Sequence, residues 1–334
     1  MLILGIETSC DETSASIVED GIKIISNVVA SSQDMHAKTG GIIPEQAARQ
    51  QIKSIISVIK EALQRDSIDA LAVTIGPGLI GSLLVGVETA KTLSWVWDRP
   101  IIPVNHLIAH LYANFLSTDY SLQTTVQFPA LGLVVSGGHT DLVLMKNHGD
   151  IEWIGGTRDD PAGEAFDKTA RLLGLPYPGG PSISKAAEKY LDQSLNFFPR
   201  PLIGDKSFDF SFSGLKTAVL REVQNKNISD NERGRYAAEI QEAIVDVLIA
   251  KSAKAIEKFK PKSFLLAGGV AANKRLRQKF EEKMADYNVD LFIPEPKYCT
   301  DNAAIIACTA YFNYNPVSWK EINSVPELTI ASTL

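Results

Sequence analysis

A chain of 334 residues exceeds the length at which one hydrophobic core usually stops growing, so two domains are expected. Its 45% hydrophobic and 22% charged residues are ordinary for a globular protein, and 33 Lys and Arg against 39 Asp and Glu leave a net charge of −6. That balance excludes a dedicated nucleic-acid binder and confines any RNA contact to a local basic face. Cys10, Cys299 and Cys308 are too few, and odd in number, for a disulfide framework; they fit a reducing, intracellular compartment.

In chain order, "LILGIET" reads as a buried strand ending in polar residues, with no basic region before it to make a signal peptide. "ASIVEDGIKIISNVVAS" is a hairpin about Asp20-Gly21. "HAKTGGIIPEQAARQQIKSIISVIKEALQ" opens as a Gly/Pro loop and becomes an amphipathic helix. The uncharged run from Ala70 to Val87 is about as long as a minimal membrane crossing. Its "GPG" break predicts strand, turn and helix start instead, and no membrane segment is indicated. "RPIIPVNHLIAHLYANFL" is a short strand and a helix. The pattern then begins again. "PALGLVVSGGHTDLVLM" gives two strands about a Gly-rich turn, "DDPAGEAFDKTARLLG" a helix after an acidic cap, and "LPYPGGPSISKAAEKY" a loop and helix. A long helix covers "RYAAEIQEAIVDVLIAKSAKAIEKF", with Ile240, Ile244, Val247 and Leu248 on one stripe. "SFLLAGGVAANKRLRQKFEEKM" is strand, turn and helix, and "VDLFIPEPKYCTDNAAIIACTAYF" is strand, loop and helix. This repetition predicts an α/β protein of two similar lobes, with ligands in the crevice between them.

His106 and His110 stand one helical turn apart, so both imidazoles can face one ion; two unrelated surface histidines would have the same spacing. The best third ligand is Asp301, which an N-cap role would equally explain. Two imidazoles and a carboxylate suit Fe(II) or Zn(II). A zinc peptidase would need a general-base glutamate beside the first histidine, where this chain has Leu107, Ile108 and Ala109. Three Gly-rich turns, "GIETSCDET", "VVSGGHTDL" and "LLAGGVAANKRLR", fall at corresponding strand ends and together suggest a bound nucleotide. Near them, Asn273 is either an N-cap or a ligand contact, Asp167 by default a solvated helix acid, and Gly180 a loop residue. The lysines and arginines at 251, 254, 258, 260, 262, 274, 275, 277 and 279 are read mostly as solvated helix faces, giving weak, salt-sensitive RNA affinity.

The motifs "GIETSCDET", "HAKTGGIIPEQAAR", "GPGLIGSLLVG", "VNHLIAHL", "VVSGGHTDL", "GEAFDKTARLLGLPYPGGP", "FSFSGLKT", "LAGGVAANKRLR" and "CTDNAA" occur in this order from end to end. In them the chain resembles the bacterial TsaD family, the tRNA N6-adenosine threonylcarbamoyltransferases once described as glycoprotein endopeptidases. The resemblance implies two lobes of the actin/hexokinase/Hsp70-like (ASKHA, RNase H-like) fold about an interlobe nucleotide cleft. The N-terminal lobe would take residues 1–128 and about 302–334, and the C-terminal lobe 129–301. It implies transfer of threonylcarbamoyl from threonylcarbamoyl-AMP to N6 of the adenosine 3′ to the anticodon, in tRNAs reading ANN codons, by a cytoplasmic protein. One divalent ion per subunit, Fe(II) before Zn(II), would be held by His106, His110 and Asp301. The substrate pocket would take Val135, Ser136, Gly137, Gly138, His139, Asp167, Gly180 and Asn273, and Asp11 and Glu12 match the family's first acidic loop, with a catalytic role expected for the pair. TsaB-like and TsaE-like subunits, and a TsaC-type enzyme supplying the co-substrate, are the implied partners. Ile108, where many relatives have glutamate, and Gln51, where the family has histidine, depart from the pattern. An ATPase or kinase of the same fold is the alternative; the paired histidines argue against it, because such enzymes hold nucleotide through magnesium and carboxylates.

Overall fold

In the computed structural model, which describes residues 1–37, 39–63, 67–118, 126–190 and 196–332, the chain alternates strands and helices in two runs. The first run is β1 (Leu2–Glu7), β2 (Glu12–Glu19), β3 (Lys23–Ser31), α1 (Gln33–Ala37), α2 (Pro44–Ala62), β4 (Ala70–Gly76), α3 (Ile80–Trp97), β5 (Ile101–Asn105) and α4 (His106–Tyr112). The second is β6 (Ala130–Val135), β7 (Thr140–Asn147), β8 (Asp150–Gly156), α5 (Ala162–Leu172), α6 (Gly179–Ala187), α7 (Ser213–Val223), α8 (Asp230–Phe259), β9 (Ser263–Ala267), α9 (Lys274–Met284) and β10 (Asp290–Phe292). Two helices, α10 (Pro296–Cys299) and α11 (Ala303–Phe312), complete it. Lys38 of the expected Gly/Pro loop, Gln64 at the end of the expected amphipathic helix, residues 119–125 and 333–334 of the expected N-terminal lobe and 191–195 of the C-terminal lobe lie outside the described residues.

The sheets have one plan: β3-β2-β1-β4-β5 in the first and β8-β7-β6-β9-β10 in the second. In each, the first strand pairs antiparallel with the second and parallel with the fourth. The predicted duplication is therefore a repeated topology. Asp20 and Gly21 take the positive φ values of 52° and 68° that a tight hairpin requires. The uncharged run from Ala70 splits into β4 and α3 at the "GPG" turn, and no helix among the described residues is long and apolar enough to cross a membrane.

Two compact units result: Met1–Val126, His148–Ile151 and Pro294–Leu334 form the first, and Gln127–Asn147 and Glu152–Ile293 the second. In the first, α11 is buried along its length against β1 and β2, where Ala303 N donates to Ser14 Oγ at 2.9 Å. Ala109 and Ala113 pack into the same core as Ala304, Ile305 and Ile306, which brings α4 beside α11. In the second, α8 begins with a capping box in which Ser229 and Glu232 satisfy each other's backbone amides.

Three expectations are corrected. The helix at 162–172 has no acidic cap: Pro161 stands at its start, Asp160 pairs with Lys168 and Lys216, and Asp159 accepts from Phe212 N and Ser213 N before α7. The strand β8 was not expected, because an edge strand whose buried residues are Gly155 and Gly156 lacks apolar alternation. Lys251 is not on a solvated face; it is fully buried, and its Nζ donates to the carbonyls of Asp205 and Ser207.

Candidate metal centre and adenylate pocket

The first site starts at a helix cap. Asn105 ends β5 and its Oδ1 accepts from Leu107 N at 2.9 Å, which starts α4 at His106 and stacks His110 one turn on. Asp301 precedes α11, yet it does not cap that helix: Asn302 does, accepting from Ala304 N at 3.1 Å. The adjacent asparagine thus leaves the aspartate's carboxylate to face the histidines. His106 Nε2 and His110 Nε2 are 3.2 Å apart, and Asp301 Oδ1 lies 3.5 and 3.3 Å from them. An ion bonded at about 2.0–2.1 Å to donors at tetrahedral angles sets those donors about 3.3–3.4 Å apart. Both histidines are buried, Asp301 is partly exposed, and the three form the one such metal-binding group found among the described residues. The donor set fits a divalent first-row ion acting as Lewis acid.

Glu7, absent from the sequence reading, stands behind His106. It ends β1 fully buried, and its Oε2 lies 3.1 Å from His106 Nδ1 and accepts from Thr74 Oγ1 at 2.6 Å. Ser9 N donates to its other oxygen. An acid at the end of an apolar strand was the available signal, since a buried carboxylate needs partners. Burial opposes charge on His106, but Asp301 and Glu7 outweigh it and raise its pKa to about 9. Burial likewise pushes Glu7 up, and His106 more than reverses that.

Glu12 begins β2 and Asp11 directly precedes it, in the same unit. Burial, with the charges of Asp301 and Asp11, pushes Glu12 up to about 9, so it holds a proton at neutral pH. Burial raises the Cys10 thiol far above its usual range, which keeps it a poor nucleophile. Gln51 explains its own departure from the family pattern: buried on α2, its Nε2 donates to the carbonyls of Cys10 at 3.0 Å and Glu12 at 2.9 Å, bracing the acidic loop. Gln51→Leu is expected to remove the side-chain donor to Glu12 O, to leave Cys10 O with the Ser82 hydroxyl, and to lower unfolding free energy by about 1–2 kcal/mol, read by urea denaturation.

The second site lies in the second unit. A cavity of about 560 Å³ is lined by Gly137, Asp167, Gly180 and Asn273, with Lys185 and Lys274 among its other walls. Asn273 takes the N-cap role: its Oδ1 caps α9 by accepting from Leu276 N at 3.0 Å, while its Nδ2 donates to Gln241 Oε1 at 2.9 Å on the cavity wall. Asp167 is no solvated acid. It accepts from Gly179 N at 2.6 Å, and burial raises its pKa. Gly268 takes φ +89°, and a Cβ there would lie 2.4 Å from Val135 O, so only glycine lets the late turn pass against β6. Val135, Ser136, Gly138 and His139 do not line the cavity; they form the turn behind Gly137, closed by Ser136 N donating to His139 O at 2.8 Å. Of the basic cluster, Arg275 pairs with Glu242, Lys279 with Glu242 and Asp246, and Arg277 donates to Ala271 O.

Residues 23–308 match the family model "TsaD: tRNA N6-adenosine threonylcarbamoyltransferase". The chain belongs to the TsaD family. It is 49% identical over 321 residues to the tRNA N6-adenosine threonylcarbamoyltransferase of Bacillus cereus, covering 94% of this chain and 91% of that one. It is 47% identical over 342 residues to the Bacillus subtilis protein of the same name, covering 99% and 96%. Threonylcarbamoylation of tRNA adenosine is thus the activity of this TsaD-family chain. Among solved structures, component A of the Acidaminococcus fermentans (R)-2-hydroxyglutaryl-CoA dehydratase aligns with a TM-score of 0.55 at 15% identity, covering 94% of this chain and 98% of that one. HypF of T. kodakarensis aligns at 0.58 and 13%, covering 93% and 47%. At that identity the likeness shows the fold alone, and it is the expected ASKHA fold.

Proposed function

We propose that the chain moves threonylcarbamoyl from threonylcarbamoyl-AMP to N6 of the adenosine 3′ to the anticodon, in tRNAs reading ANN codons. His106, His110 and Asp301 hold one divalent ion per subunit, Fe(II) in preference to Zn(II). The ion supplies Lewis-acid stabilisation of oxygen charge. The cavity bounded by Gly137, Asp167, Gly180 and Asn273 takes the adenylate, and the turn from Val135 to His139 sets the place of Gly137 in its wall. Transfer forms a C–N bond at N6, breaks the bond from the carbamoyl carbon to the AMP oxygen, and releases AMP and a proton. The acyl carbon arrives activated, so the protein's work is positioning and charge stabilisation. Asp11 or Glu12 orients the amine and receives its proton.

The observation that carries this reading is the triangle of two imidazoles and a carboxylate, 3.2 to 3.5 Å on a side, in a chain nearly half identical to named transferases. The cytoplasm is the proposed location. The proposed partners are tRNA, TsaB-like and TsaE-like subunits, and a TsaC-type enzyme that makes the co-substrate. The test is a transfer assay with synthetic threonylcarbamoyl-AMP, tRNA and the reconstituted subunits. Modified adenosine is expected with the native chain, and loss of about 100-fold or more with His106→Ala or after chelation. Full transfer by the chelated chain overturns the metal's role. Nucleotide hydrolysis without transfer would favour the kinase-like alternative.

A further inference from the structure

We propose that Glu7 is a positioning residue that holds His106 with its Nδ1 protonated and its Nε2 lone pair aimed between His110 and Asp301. The inference rests on the metal-centre reading above and extends it to a residue outside the donor set.

Its basis is the hydrogen-bond inventory around one imidazole. His106 Nδ1 has two neighbours, Glu7 Oε2 at 3.1 Å and Ser9 Oγ at 3.3 Å. A serine hydroxyl can donate or accept and so leaves the tautomer open. Both Glu7 oxygens already accept, from Thr74 Oγ1 and Ser9 N, so toward Nδ1 Glu7 is an acceptor; it keeps the proton on Nδ1 and leaves Nε2 as the nitrogen that an ion would take in place of a proton. Glu7 is itself fixed. Thr74 Oγ1, from β4, donates to the same Oε2 at 2.6 Å, and Ser9 N donates to Oε1. β1 and β4 are adjacent parallel strands, with Ile6 opposite Val73, so sheet pairing sets the Glu7 and Thr74 side chains together. Both are fully buried, and no rotation into solvent competes with this arrangement.

His110 shows the contrast. Among the described residues its Nδ1 is buried without a hydrogen-bond partner, so none of them orients the second imidazole as Glu7 orients the first. The site's preorganisation is therefore one-sided. Glu7, Thr74 and the end of β1 fix His106, and His110 follows from the helical turn that separates the two. A purely structural role, capping the strand end, would use the Ser9 amide and Thr74 hydroxyl but would be indifferent to the ion.

The experiment is Zn(II) titration of the metal-free full-length chain, with Zn(II) as a diamagnetic probe, on native protein, Glu7→Gln, Thr74→Val and His110→Ala. Thermal unfolding of each metal-free chain is recorded alongside. Glu7→Gln is expected to bind zinc 10- to 100-fold more weakly. Thr74→Val, which leaves the carboxylate in place, is expected to weaken binding less. In the zinc-loaded native protein, the His106 Nδ1 proton is expected far downfield in the 15N-correlated spectrum, as carboxylate-bonded imidazole protons are, and to move upfield in Glu7→Gln. Zinc affinity within twofold of native in Glu7→Gln, or an unmoved Nδ1 proton, overturns the proposal. Should Glu7→Gln not fold, Thr74→Val and the native Nδ1 signal decide: a native resonance at the ordinary imidazole position overturns it. Failure of the underlying metal centre has a different signature, His110→Ala binding zinc as tightly as the native chain.

Discussion

Asp301→Ala is expected to reduce transfer by about 10³-fold, equivalent to about 4 kcal/mol of transition-state stabilisation, and to strip the divalent ion on gel filtration. The carboxylate is the only negative donor of the three, so its loss removes both a ligand and the charge that balances the ion. The metal-free fold should survive. Asp301 repels Glu12 and contributes to holding it protonated, so removing it relieves as well as costs. Unfolding free energy of the metal-free variant is expected within about 1 kcal/mol of native, the behaviour of a residue kept for activity. Elemental analysis and the transfer assay on one preparation check both halves. A large stability loss with metal content unchanged would contradict the assignment.

The second large effect separates two adjacent glycines at the start of α6. A Cβ on Gly180 would meet nothing within 4 Å and would enter the cavity that Gly180 lines. Gly180→Leu is therefore expected to raise the KM for threonylcarbamoyl-AMP by about 100-fold, about 2.7 kcal/mol. It should leave stability unchanged or raised by about 0.5–1 kcal/mol, because a helical glycine has been replaced. A Cβ on Gly179 would instead lie 2.5 Å from Asp167 Cα and 2.7 Å from Phe166 O, both backbone atoms. Gly179→Ala is expected to destabilise by about 1–3 kcal/mol, because α5 and α6 must separate to admit it. Steady-state kinetics and urea denaturation on both variants distinguish the readings. If Gly180→Leu unfolds the protein and Gly179→Ala is silent, the cavity does not have this shape.

The local parts of this architecture were legible because they are written in neighbouring residues. Alternation and turn residues gave the β2–β3 hairpin, the break at "GPG", the two histidines on one helical face and the repetition of strand and helix order. The choice at Asp301 was not local. Either Asp301 or Asn302 could have capped α11, and only packing of that helix on β1 and β2 gives the cap to asparagine and the open face to aspartate. Asn273 stayed ambiguous for the reverse reason: one side chain has two polar ends, and the structure uses both. Gln51 looked like a loss of a family histidine, whereas its amide reaches three backbone carbonyls of the first loop.

The sequence by itself determined the family, the repeated α/β order and the two histidines on one helical face, since each depends on residue identity and short-range spacing. Tertiary structure alone decided what surrounds them. Glu7 meets Thr74 across 67 residues and His106 across 99, and Lys251 is buried against carbonyls more than forty residues away. A buried charge is tolerated only where partners converge on it, and that convergence is a property of strands and helices already packed, not of the stretch of chain in which the charge is written.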